Sequence, residues 1–178
     1  KMRFDSWAVR LSYNPTKELS LQVSHGFVKS PEPLHPEEDV KRTTASIIHA
    51  KRFGKDILLN SAIVWGYNRV NKDHQEHSFL AESALSWKKN AIYGKYEFVE
   101  KSTEELALDE HTFGHDGKFP VSAITLGVNR KIFSIGKTDF SIGSQATLYM
   151  PEKPLEGLYG SNPWAYQVFI RVNPGLMR

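Results

Sequence analysis

The chain has 178 residues, of which 40% are hydrophobic and 24% charged, a length that suits one domain and a composition that excludes a disordered tail. Its net charge of +3, from 23 basic and 20 acidic residues with no basic run longer than a pair, is too slight to predict a nucleic-acid surface. The lack of cysteine excludes disulfide scaffolds, zinc-thiolate sites and thiol nucleophiles, and no apolar run approaches the ~18 residues of a helical membrane span.

Taken in chain order, the sequence alternates with period two almost throughout. Trp7, Val9, Leu11 and Tyr13 share one face, with Ser6, Ala8, Arg10 and Ser12 on the other. Leu19, Leu21, Val23 and His25 then oppose Ser20, Gln22 and Ser24. The segment 41–53 is ambiguous, because Thr43-Thr44 and Ile47-Ile48 supply both parities. Ile57, Leu59, Ser61, Ile63, Trp65 and Tyr67 oppose Asn60 and Asn68, and Phe79, Ala81, Leu85 and Trp87 oppose Ser78, Glu82 and Ser86. Ile92, Gly94, Tyr96 and Phe98 oppose Lys95 and Glu97, and Ile124, Leu126 and Val128 oppose Thr125 and Asn129. Phe140, Ile142, Ala146, Leu148 and Met150 oppose Ser141, Gln145 and Thr147. Last, Trp164, Tyr166, Val168, Ile170 and Val172 oppose Gln167, Arg171 and Asn173. Helical periodicity is scarce, since 103–108 is too short and too acidic to bury a face.

The pattern predicts about nine strands of roughly 9 to 14 residues, longer than the ~5–6 of an average strand. Short turns are expected at Asn14-Pro15-Thr16-Lys17, Phe53-Gly54-Lys55-Asp56, Lys89-Asn90 and Gly136-Lys137-Thr138, with longer polar loops near 30–40, 70–77, 105–118 and 151–162. Short and long connections in alternation are the mark of an all-β, antiparallel up-and-down meander with one trimmed rim and one elaborated rim.

A soluble barrel and a transmembrane β-barrel share this alternation with their faces reversed. Two features favour the membrane. A tilted crossing strand needs ~9–11 residues, and aromatic residues gather toward strand ends, where interfacial girdles belong. The expected lipid-interface aromatics are Trp7, Tyr13, Trp65, Tyr67, Trp87, Trp164 and Tyr166, and the expected lumen residues are Arg10, Glu82, Lys95, Glu97, Gln145, Gln167 and Arg171. With short turns in the periplasm the last strand runs down into it, as in bacterial outer-membrane barrels. The first strand then starts outside, so residues 1–178 are expected to be one barrel domain lacking its N-terminal strands. The alternative is a soluble lipocalin-like binder, with Trp65, Trp87, Phe98 and Tyr166 lining a central pocket.

The stretches Arg10-Leu11-Ser12-Tyr13-Asn14-Pro15-Thr16, Leu21-Gln22-Val23-Ser24-His25-Gly26, Lys29-Ser30-Pro31-Glu32 and Arg42-Thr43-Thr44-Ala45-Ser46 carry a resemblance. So do Trp65-Gly66, Tyr159-Gly160-Ser161-Asn162-Pro163 and Phe169-Ile170-Arg171. Together they resemble the C-terminal part of an uncharacterised family of bacterial outer-membrane β-barrel proteins. The resemblance implies a porin-like barrel of about twice this length, located in the outer membrane, with no substrate assigned. Many outer-membrane proteins finish on an aromatic residue; this chain finishes Pro174-Gly175-Leu176-Met177-Arg178, with Phe169 nearby.

Other constellations are weaker. His35 precedes Glu37, Glu38 and Asp39; His74 and His77 follow Asp73; His111 and His115 sit with Asp109, Glu110 and Asp116. These loops share a rim in the expected topology, so a surface receptor capturing metal is a third reading, although no spacing matches a zinc pattern. Solvated loops explain the same residues, and no metal ligand or cofactor is assigned. Ser78, His77 and Glu82 lie close in sequence, as do Glu105, Asp109 and His111, yet no serine stands in Gly-x-Ser-x-Gly, and no catalytic role is expected. The expected partners are membrane lipid, lipopolysaccharide and small solutes or ions, with other envelope proteins or further copies of the chain as candidates and no nucleic acid.

Overall fold

The computed structural model describes residues 5–31, 37–70, 74–114 and 117–174. Nine strands form one sheet in sequence order, every neighbour antiparallel. They are β1 (Trp7–Thr16), β2 (Leu19–Lys29), β3 (Asp39–Phe53), β4 (Ile57–Val70), β5 (His74–Trp87), β6 (Asn90–Ser102), β7 (Lys118–Ile135), β8 (Thr138–Pro151) and β9 (Trp164–Asn173). Two single-turn helices, α1 (Glu110–Phe113) and α2 (Glu156–Tyr159), lie in the last two long connections. The all-β meander expected from the alternation is therefore the fold.

Three local readings need correction. The strands run from 10 to 18 residues, because pairing continues past the positions where hydrophobic alternation fades. The long loop expected at 70–77 is the clearest case: β4 reaches Val70 and β5 begins at His74, paired with it. Polar side chains there hid a ladder held by backbone groups, which are indifferent to side-chain polarity. The turn expected at Asn14 starts later as well, since β1 continues to Thr16 through an irregular register between Tyr13 and Thr16. Pro15 falls in that interruption, where its missing N–H costs no ladder bond.

Directly paired residues of an antiparallel sheet share a face, so the register sorts the side chains. One row passes through Tyr13, Leu21, Ile47, Ile63, Ala81, Tyr96, Ile124, Leu148 and Trp164. It leaves β1 near the short-turn end and meets β9 at that strand's first residue, beside the long loop. The strands are thus staggered in one direction, the shear that lets a sheet curl toward a barrel. Both outermost strands, β1 and β9, are exposed along nearly their whole length, and they run in the same direction.

Burial is inverted relative to a water-soluble sheet. On β7 the positions Ala123, Thr125 and Gly127 are buried while Ile124, Leu126 and Val128 between them are exposed. On β8, Ser141, Gly143 and Thr147 are buried while Ile142 and Leu148 are exposed. Among the described residues the buried apolar side chains are Val40, Phe119, Ala123 and Leu155, too few for a conventional core. Two of the buried glycines seat aromatic rings from the neighbouring strand. A side chain at 127 would overlap Tyr93, and one at 143 would overlap Phe169, so each ring fills the space that its paired glycine leaves.

The connection between β6 and β7 is folded. The buried Thr103 hydroxyl donates to the Gly114 carbonyl at 2.7 Å, and the Asp109 carboxylate caps α1 by accepting from the Thr112 N–H at 3.0 Å. Phe113 meets Phe119 edge-on at 5.8 Å, anchoring the loop to the start of β7.

Candidate functional site

The polar face is the concave one. A single cavity of about 610 Å3 draws its walls from strands as far apart as β3, through Ile48, and β9, through Arg171. The burial asymmetry of β7 and β8 agrees with this sense of curvature, since the polar side is buried and the apolar side exposed.

All seven expected lumen residues lie on this face by register. Glu82, Lys95, Gln145, Gln167 and Arg171 line the one cavity. Glu97 is next to it, bound to the Lys95 ammonium at 2.8 Å, whereas Arg10, on the edge strand β1, shares the face but stands apart from the cavity. Lys95 is paired across the strands with Glu82, yet its ammonium bonds along its own strand to Glu97. Both partners of that ion pair are more than a third exposed, so solvent screens it to about 0–1 kcal/mol.

A second set of groups sits among these charges. Asn60, Ala84, Tyr93, Gly127, Gln145 and Gln167 occupy one continuous row from β4 to β9. Gly127 lets the Tyr93 ring lie flat across β7, and its hydroxyl donates to Gln145 Oε1 at 2.8 Å. The Gln145 amide in turn donates to Gln167 Oε1 at 3.0 Å. In the adjoining row Asn129 pairs with Gly143, which faces Phe169. Asn129 Oδ1 is buried and has no hydrogen-bond partner among the described residues. The Arg171 guanidinium lies 5.5 Å from the Phe169 ring centroid, within cation–π range. Beside the cavity, Thr125 and Thr147 share a hydroxyl–hydroxyl bond of 2.8 Å, both buried.

Tyr93, Asn60 and Asn129 were not among the residues singled out from the sequence for the lumen. Parity alone puts Tyr93 with Lys95 and Glu97, and that was the signal available. Its partnership with Gln145, 52 residues away, depends on the register of three strands.

The seven aromatics expected at the lipid interface all lie on the opposite, convex face. Trp7, Trp65, Tyr67, Trp164 and Tyr166 sit toward the long-loop ends of their strands, and Tyr13 and Trp87 toward the turn ends. Trp65 stacks on Tyr67 at 6.2 Å, and His77 joins them, 4.9 Å from Tyr67. The four rings that a soluble binder would need in a central pocket, Trp65, Trp87, Phe98 and Tyr166, are on this convex face too.

The histidine constellations come apart. His74 and His77 are both on β5, and their three-residue spacing sends them to opposite faces; His74 contacts Glu76 at 3.2 Å. His25 bonds Thr43 at 2.8 Å on the convex face, which His49 also occupies. Asp109 is taken up in capping α1, and Glu105 pairs with Lys101 at 2.8 Å. His35, Asp73, His115 and Asp116 lie outside the described residues, as do 175–178. Among the described residues no group of three or more His, Asp or Glu side chains is arranged to hold a metal ion. Ser78 and Glu82 face the concave side and His77 the convex side, which separates that catalytic candidate. Ser83 is bonded to Ser61 at 2.9 Å on the convex face.

Comparison with protein-family models and with curated proteins returns no match.

Proposed function

We propose that this sheet is the wall of a bacterial outer-membrane β-barrel, a porin-like channel or channel component that passes small solutes or ions. The observation that carries the reading is the inversion of the two faces. Thr125 is 2% exposed on the concave side, while Leu126 beside it is 66% exposed and Ile170 is 76% exposed on the convex side. Water penalises an apolar surface of this extent by about 25 cal/mol per Å2, whereas lipid removes the penalty. The convex band would then meet lipid and lipopolysaccharide, with its aromatic residues at the headgroup levels.

In hydrocarbon the exposed backbone edges of β1 and β9 must be paired. Because those two strands run in the same direction, an odd number of further strands closes the ring with antiparallel neighbours throughout. In this reading the chain works by passage through its lumen and has no catalytic role.

The first test is a gel of the detergent-extracted outer-membrane fraction, run unheated and heated. A band whose mobility shifts on boiling is the expected result; recovery in the soluble fraction without a shift would overturn the reading in favour of a soluble ligand-binding barrel. The second is the reversal potential of the reconstituted protein in a planar bilayer under a salt gradient. Replacing Lys95→Glu together with Arg171→Glu should move selectivity toward cations, and an unchanged reversal potential would remove both residues from the path.

A further inference from the structure

We infer that the concave wall carries a binding track for uncharged, hydroxyl-rich solutes of the saccharide class, formed by Asn60, Tyr93, Asn129, Gln145 and Gln167 beside Phe169. The inference rests on the channel reading and assigns its solute class. All six residues line the same cavity of about 610 Å3, large enough for a small sugar. Four of them, Asn60, Tyr93, Gln145 and Gln167, lie in one row, separated only by the small residues Ala84 and Gly127. Their polar groups thus succeed one another around the wall with little bulk between them.

The chemistry of the row is that of hydroxyl recognition. A carboxamide offers a donor and an acceptor in one plane, matching adjacent hydroxyls that each donate and accept. Tyr93, Gln145 and Gln167 are already joined by bonds of 2.8 and 3.0 Å, in which the amide oxygens of Gln145 and Gln167 accept, and this orients the two amides. Asn129 adds a buried acceptor oxygen that has no partner among the described residues, and such a group is costly unless something donates to it. Phe169 is held on Gly143 and supplies an apolar surface for the C–H face of a sugar ring. The charges at the cavity do not select an ion of one sign: Lys95 is bound to Glu97, and Arg171 and Glu82 are opposed in charge. The neutral polar groups are therefore the repeated feature.

The test uses the full-length protein in a planar bilayer, with ionic current recorded as maltose or glucose is added. A saturable fall in current is expected, and Gln145→Leu with Gln167→Leu should raise the half-blocking concentration roughly tenfold or more. Asn129→Ala, which removes that acceptor without enlarging any side chain, serves as the second variant and should weaken block as well. Each variant is first checked for the heat-shifted band. Channels that conduct but are unaffected by either sugar would overturn the saccharide track and leave the channel reading standing. If no conductance appears, the channel reading falls, and calorimetric titration of the detergent-solubilised protein with maltose decides the track separately. Binding lost in the double variant supports it; no binding in the unaltered protein overturns it.

Discussion

The two faces of the β7–β8 hairpin present the same backbone to opposite surroundings. On the concave side the residues are small or hydroxylated, and they are buried: Ala123, Thr125, Gly127, Gly143 and Thr147. On the convex side Ile124, Leu126, Val128, Ile142 and Leu148 are large, apolar and exposed. Curvature explains the sizes, because the inside of a bend has less room per residue than the outside. In the proposed barrel the polarity follows from hydrocarbon on the convex side. The contrast teaches that burial and hydrophobicity, coupled in most proteins, are uncoupled here.

The sharpest way to break that comparison is a charge in the convex band. Leu126→Arg would be tolerated if the surface met water, since Leu126 is 66% exposed. Against lipid it should cost about 2–4 kcal/mol near the bilayer midplane, read from the urea midpoint of the protein in vesicles. An unchanged midpoint would mean that Leu126 does not face lipid. On the concave side Gly143→Val should cost about 1–3 kcal/mol, because the Phe169 ring occupies the space a side chain would need. Adding Phe169→Ala should recover part of that loss, and failure to recover any would detach the effect from the ring.

A smaller effect separates the buried hydroxyls from their neighbours. Thr125→Val leaves the Thr147 hydroxyl without its 2.8 Å partner and should cost about 1 kcal/mol, whereas changing both residues to Val should be close to neutral. Equal costs for the single and double variants would show that the pair is not what holds these positions. The smallest effect is expected at the half-exposed ion pair: Lys95→Met should alter stability by no more than about 1 kcal/mol. A larger loss, measured by the same denaturant midpoint, would place Lys95 in a drier part of the wall than its exposure indicates.

The two faces were legible in the sequence because a period of two survives any uncertainty about where strands end. Arg171 and Gln167 could be set opposite Trp164 and Tyr166 by counting alone, and the register puts them there. Strand ends were harder to place. His74, Gln75 and Glu76 read as a loop, since polar residues in water and polar residues on a paired strand look alike. The tyrosine at 93 is a different case: parity sets it on the wall with Lys95 and Glu97, but the room its ring takes there comes from the glycine paired with it on β7. Phe169 is likewise an aromatic on the polar face, acceptable there because Gly143 gives it a seat. Pairings of that kind join consecutive strands across long loops, and their register is fixed by the whole ladder, so no local pattern announces them.

The stagger of the strands also shapes the row of amides. Because each row rises from the short-turn rim toward the long-loop rim as it crosses the sheet, Asn60 and Gln167 stand at different heights as well as different bearings. The row is therefore a ramp. A solute that exchanged hydrogen bonds from one member to the next would advance along the axis as it turned, and tilted strands alone would convert a grip on the wall into a direction of travel.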